Sequence, residues 1–175
     1  AALEQQIQIN VFRKKLSDIL GVRQGLPDIR VRMGIATGEC IVGNMGGSNL
    51  QSFTAIGPAK DWAEELETLN NKFNTQILVL ETTVNSVGDR MEFRRLDRFQ
   101  GSAGEQIGVF ELLGQSGTVS EETLKYKCAF EKALSFYEDG DFKKASKNFA
   151  KCKKLNPNDK AVELYLASIT YFNQN

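Results

Sequence analysis

The apolar pattern of this chain changes period once, at the glycine- and serine-containing stretch 114–120 (GQSGTVS). Upstream, short period-two and fully apolar runs alternate with helical stretches; downstream, the spacing is helical throughout. That order predicts an α+β part, with helices on one face of a sheet, followed by a purely helical part. Residues 3–20 place Leu3, Ile7, Val11, Phe12, Leu16, Ile19 and Leu20 at helical spacing, with Gly21 suited to the helix end. A turn at 25–28 leads to residues 29–35, where Ile29, Val31, Met33 and Ile35 alternate with Arg30 and Arg32 as in a half-buried strand. Residues 37–47 are punctuated by glycines and predict a hairpin whose second strand returns over 51–56.

Gly57 and Pro58 then open a helix with Trp62, Leu66, Leu69 and Phe73 as its apolar stripe. Residues 76–81 form a nearly continuous apolar run, the pattern of a strand buried on both faces. A brief helix capped by Thr82 follows, and strands at 93–99 and 107–113 flank a turn at 101–105. Beyond the linker, Ala129, Ala133 and Phe136 mark one helix, and Phe142, Ala145, Phe149, Cys152 and Leu155 a second. Asp139, Gly140 and Asp141 form the turn between them, Pro157 ends the pair, and a third helix begins at residue 160.

Lysine plus arginine and aspartate plus glutamate both number 22, so the net charge is zero. This argues against a general nucleic-acid or anionic-membrane binder, though not against a local patch. No histidine is present, which removes Ser-His and Cys-His chemistry within the chain and the commonest zinc ligand. Cys40, Cys128 and Cys152 lack CxxC spacing and read as small buried residues in a reducing compartment. No apolar run is long enough to span a membrane. The chain opens on Ala1 rather than methionine and reads as a piece of a longer, intracellular, cytoplasmic protein. A tether to a larger assembly or membrane protein would come from regions outside it.

Several residues invite functional readings beside structural ones. Asp61, Glu64, Glu65 and Glu67 suggest a cation site, against an acidic first turn that complements the helix dipole. The glycines at 43–47 suggest a phosphate cradle, but they lack the GxxxxGK[ST] pattern and fit a hairpin. Trp62 reads as core before it reads as a stacking residue, and Arg94, Arg95 and Arg98 as solvated or paired residues of an outward strand face. Glu39 and Asp97 receive no catalytic role.

Five strings in order carry a resemblance to the C-terminal portion of class III adenylate/guanylate cyclase catalytic domains. They are RMGIATGECIVGNMG at 32–46, FTAIG at 53–57 with AEELE at 63–67, TQILVL at 75–80, FRRLDR at 93–98 and VFELL at 109–113. The resemblance covers about residues 31–114. It implies a ferredoxin-like domain, lacking its first strands, that pairs head to tail with another cyclase-type domain around interfacial nucleotide sites. In that family two early-strand aspartates hold magnesium or manganese, and a helix supplies an asparagine and an arginine to the transferring phosphoryl group. Here those two positions fall on Asp61 and Glu65, and Pro58 stands where an acid often does. Thr54 occupies a base-reading position. The metal aspartates would lie before Ala1, so metal with ATP or GTP is expected only if an upstream half carries them. No catalytic residue is assigned.

Residues 126–159 span one 34-residue unit with Ala133, Ala145, Phe136, Phe142, Phe149 and Pro157 at the positions of a tetratricopeptide (TPR) repeat, which the unit resembles. The resulting division is a partial cyclase-like domain over 1–114, a linker over 115–122 and a TPR-like helical hairpin over 123–175. Either further repeats follow, or the unit packs on the preceding domain. Two readings stay open: a degenerate cyclase module, regulatory or non-catalytic, in cyclic-nucleotide signalling, or a scaffolding module in which both parts bind protein partners without nucleotide chemistry.

Overall fold

The computed structural model describes residues 1–21, 29–47, 50–100, 104 and 106–174. The turn expected at 25–28 and most of that at 101–105 lie outside them. Helix α1 (Ala2–Leu20) ends on Gly21 at φ 67°, a left-handed conformation that glycine adopts without a Cβ penalty. Strand β1 (Met33–Ile35) follows, then β2 (Ile41–Gly47) and β3 (Leu50–Ile56), which pair with each other as a separate antiparallel hairpin. Helix α2 (Pro58–Phe73), strand β4 (Ile77–Leu80) and the short helix α3 (Glu81–Val87) lead to the long strands β5 (Met91–Gln100) and β6 (Gln106–Gln115). Thr82 lies inside α3 and does not cap it, since no side chain bonds the helix start.

The main sheet runs β1-β4-β6-β5. β1 and β4 are parallel, and the other pairs are antiparallel. Every residue of β4 is buried, as its continuous apolar run predicts. One face of the sheet carries Leu78, Leu80, Leu96 and Val109 against Leu66, Leu69 and Phe73 of α2. The other carries Ile77, Val79 and Phe93 against Ala2 and Leu3 of α1 and Val84 and Val87 of α3. The layers are thus helix, sheet, helix, where the sequence predicted helices on one face only.

The helical segment joins the first of these cores. Helices α4 (Glu121–Glu138), α5 (Phe142–Leu155) and α6 (Lys160–Gln174) bury Phe130, Ala133, Ala145, Phe149, Tyr165 and Ile169 in the same cluster as Leu66 and Leu96. Phe136 and Phe142 pack against it, and Pro157 lies exposed after α5. Residues 115–122, expected as a linker, contain the end of β6, a tight turn in which the Thr118 N–H donates to the Gln115 carbonyl, and Ser120 as the N-cap of α4. The serine side chain accepts from the Thr123 N–H, which is the capping chemistry that glycine- and serine-rich composition conceals.

Strand β5 lies at the sheet edge, and the helical segment grips it. The Arg95 N–H donates to the Glu131 carboxylate at 2.8 Å, and Tyr165 donates its hydroxyl to the Leu96 carbonyl at 2.8 Å. The Arg95 guanidinium reaches Glu138 with two donors, at 2.6 and 2.8 Å. Backbone groups that an edge strand usually leaves open are thereby bonded by side chains. Irregularities between Glu92 and Phe93 and between Arg95 and Asp97 twist the strand. They help to turn Arg94 inward, where it is 5% exposed, so it is not on the outward face that alternation suggested. Two other expectations also change. Cys40 and Cys128 are exposed and only Cys152 is buried, and α1 leaves Ile7, Val11, Phe12, Ile19 and Leu20 between 41% and 61% exposed.

Candidate functional site

The site predicted from sequence is built on α2, and two glycines fix how that helix lies. Gly57 precedes it at φ 140°, and a Cβ there would stand 3.1 Å from both the Cys40 Cα and the Glu39 carbonyl oxygen. At Gly34 of β1 a Cβ would stand 2.0 Å from the Ala63 carbonyl oxygen. The helix backbone therefore rests directly on β1, with Pro58 in its first turn. Leu66, Leu69 and Phe73 face the sheet, and Trp62 packs half-buried against the same core.

The opposite side of α2 is exposed and acidic. Asp61 and Glu65, four residues apart, share one helical face. Glu65 has no hydrogen bond or ion pair among the described residues, and Asp61 acts only through its field on Lys60. Glu64 accepts from Lys60 at 2.8 Å and Glu67 pairs with Arg32 at 3.2 Å, so the other two acids are already matched. The hydrogen bond to Glu64 raises the Lys60 pKa above its ordinary value. Thr54 is half-buried on β3 opposite Gly43.

Among the described residues no three cysteine or carboxylate side chains converge as a metal site would require. What the α2 face offers a phosphate group is repulsion. It holds two unmatched carboxylates, whereas phosphoryl-transfer sites place preorganised donors against charge that builds in the transition state.

Sequence reasoning missed two features. The first is a buried ionic cluster beneath α4. Arg94 donates to Glu111 at 2.7 Å and to Asp159, its Cζ lies 4.7 Å from the Phe130 ring centroid, and Tyr126 donates its hydroxyl to Asp159 at 2.8 Å. Burial, then the charge of Asp159, drives the Tyr126 hydroxyl well above the ordinary phenol range. Burial alone would lower the Arg94 pKa, yet Glu111 and Asp159 hold it above its ordinary value. Burial is also what raises the Glu111 carboxyl. The signal for Asp159 is an aspartate one residue before a helical period, the position of a helix cap.

The second is the exposure of the expected β2–β3 hairpin, whose Ile41, Val42, Phe53 and Ile56 are 56–73% exposed. An isolated two-stranded hairpin is marginal in water, and apolar side chains on both of its strands mark a surface suited to burial.

No family model matches the chain. Its sequence is 31% identical over 91 residues to adenylate cyclase 1 of Rhizobium meliloti (strain 1021), covering 51% of this chain and 14% of that protein. It is 25% identical over 144 residues to the terminal-differentiation-specific adenylate cyclase of Dictyostelium discoideum, covering 79% of this chain and 7% of that protein. It is also 28% identical over 116 residues to adenylate cyclase of Anabaena cylindrica, covering 64% of this chain and 23% of that protein. The chain thus spans less than a quarter of the length of each of these relatives. The Dictyostelium alignment is too long to fit between Ala1 and Gly114, so that likeness reaches into the helical segment. The crystal structure of the guanylyl cyclase Cya2 superposes at TM-score 0.49 and 21% identity, over 66% of this chain and 55% of that one. Over these stretches the chain is cyclase-like in sequence, similar to parts of three adenylate cyclases.

Proposed function

We propose that the chain is a degenerate class III cyclase-like module, ferredoxin-like in its sheet, that serves as the regulatory or non-catalytic half of a cyclase pair in cyclic-nucleotide signalling. The observation that carries this reading is the exposed, unmatched pair Asp61 and Glu65 on α2. By resemblance these two positions belong to an asparagine and an arginine that stabilise the transferring phosphoryl group. Loss of one such donor costs about 10²–10³ in rate. Charge reversal adds more, because a unit charge at about 4 Å and an effective dielectric of about 20 contributes about 4 kcal/mol. Solvent at this exposed face moderates that figure.

In a head-to-tail pair this chain contributes surface and the Thr54 position, while magnesium or manganese with ATP or GTP depends on carboxylates from elsewhere. The exposed Ile41, Val42, Phe53 and Ile56 of the hairpin support a partner of the same domain type. The test pairs the full chain with an active class III cyclase domain and measures cyclic-nucleotide formation with manganese and ATP or GTP. The chain alone forms none. Asp61→Asn with Glu65→Arg gains turnover in the pair where those two positions alone block it, and no gain points to wider degeneration; a cyclase domain whose rate is the same with and without the chain would sink the reading.

A second reading, scaffolding through the cyclase-like and TPR-like parts without nucleotide chemistry, draws support from α6. There Tyr171 and Phe172 are 66% and 52% exposed, and Phe172 stacks on Phe142 at 5.5 Å. In that case the helical unit, with Ala133, Ala145 and Phe149 in its seam, acts as a TPR-like repeat for a protein partner. A stable complex with a non-cyclase protein, together with no nucleotide binding in the paired assay, distinguishes it.

A further inference from the structure

Charge is segregated in a chain whose net charge is zero. Helix α5 (FKKASKNFAKCKKL) holds six lysines in 14 residues and no carboxylate. Two of them are bonded: Lys144 to Asp141 and Lys153 to Glu163, each at 2.6 Å. The other four, Lys143, Lys147, Lys151 and Lys154, stand at i, i+4, i+8 and i+11 and fall on a single helical face. All four are exposed. Lys147, Lys151 and Lys154 have no hydrogen bond or ion pair among the described residues, and Lys143 feels only the field of Asp141, whose carboxylate Lys144 holds.

Ala145, Phe149 and Cys152 on the other side of the helix are 0% exposed. The stripe is therefore presented rigidly, and the helix cannot roll. Like charges four residues apart oppose helix formation, so the row is held against its own repulsion by the packed face. Ala150 sits within the row, exposed and small, and leaves room for another backbone to come close.

We infer that this stripe docks an acidic helical segment of a partner protein, one whose carboxylates recur at three- and four-residue spacing. Its shape favours that partner over other polyanions. The row is about 16 Å long and a single residue wide, which matches a linear array of charge. A bilayer would engage a broader basic surface, and the adjoining helix α4 exposes Glu122 and is followed by the exposed Asp139, which an anionic leaflet repels. The apolar face that an interfacial helix inserts into lipid is committed here to the core. Single-stranded nucleic acid stacks its bases on aromatic side chains, but Phe149 is fully buried and Phe142 is stacked on Phe172. The inference stands apart from the cyclase reading, since it uses no residue of α2 or the hairpin.

Fluorescence anisotropy with the full chain tests it, using two labelled peptides of identical composition. One is a helix former with glutamates at i, i+4, i+8 and i+11, and the other is its scramble. The matched peptide binds, loses affinity as salt rises from about 50 to about 300 mM, and binds at least about fivefold tighter than the scramble. Lys147→Glu with Lys151→Glu weakens it by about tenfold or more. Lys147→Gln with Lys151→Gln, which removes the charge but keeps a polar side chain, shows a smaller loss in the same direction and serves if the reversal fails to fold. Equal binding of the scramble, indifference to both double variants, or no binding to either peptide overturns the inference. Tighter association with phosphatidylserine-containing vesicles or a single-stranded oligonucleotide overturns it as well.

Discussion

Gly34 has no room for a methyl group. A Cβ there would stand 2.0 Å from the Ala63 carbonyl oxygen, 2.7 Å from the Glu67 amide nitrogen and 2.8 Å from the Leu66 Cβ. Overpacking typically costs about 1–3 kcal/mol, and here most of the obstruction is backbone that cannot swing aside. Gly34→Ala should reach at least the top of that range, lowering the denaturation midpoint of the full chain at unchanged slope. An unmoved midpoint would contradict the close approach. Arg94 poses the opposite problem, a buried cation held between Glu111 and Asp159. Arg94→Met leaves both carboxylates without it, and breaking a buried pair from one side costs about 3–5 kcal/mol. Urea unfolding measures this, and a loss below about 1 kcal/mol would mean the cluster is wetter than its burial implies. Glu163 gives a pH signature. The hydrogen bonds from Lys153 and then Lys160 hold its pKa at about 2, against 4.5 ordinarily. A lowered folded-state pKa adds stability above the ordinary value and loses it as pH falls towards the folded one. The acid limb of stability should therefore contain a component between pH 4.5 and about 2. Glu163→Gln should remove it, and because the group faces solvent the effect should be small and weaker in salt.

At the scale of elements, what sequence made legible followed from periodicity. The continuous apolar run of β4 and the glycine-proline start of α2 each have one cheap local solution, and both are found where they were expected. The acidic side of α2 was also legible, because Asp61 and Glu65 four residues apart must share a face. Arg94 was not. Strand irregularities at Glu92/Phe93 and Arg95/Asp97 displace the two-residue alternation, and no local pattern announces a bulge. The partner Asp159 lies 65 residues away, a separation over which sequence spacing carries no information. The hairpin gave its strands but not the exposure of Ile41, Val42, Phe53 and Ile56, since exposure depends on what else packs nearby. Phe53→Ser with Ile56→Ser should leave the melting temperature of the isolated chain nearly unchanged, as surface substitutions usually do. The same variant should weaken association with a cyclase-type partner by about tenfold or more, read by analytical ultracentrifugation.

At the scale of the molecule, the helical segment and the sheet share one core, with Phe130, Tyr165 and Ile169 in the same cluster as Leu66 and Val109. Calorimetry of the full chain should show one cooperative transition. A fragment ending at Gln115 should lose that transition and aggregate, because it uncovers Leu96 and opens the β5 edge. Two separate transitions would instead favour independent parts. Asp159 links this shared core to the spelling of a single turn. Its Oδ1 accepts from the Ala161 N–H at the start of α6, while its Oδ2 meets Arg94 and Tyr126. One side chain thus sets both where a helix begins and where a strand's charge is answered. Surface turns usually accept extra residues, but one inserted between Asn156 and Asp159 would slide α6 along its own screw or leave Arg94 facing no counterion. The length of that turn is as constrained as any residue of the core.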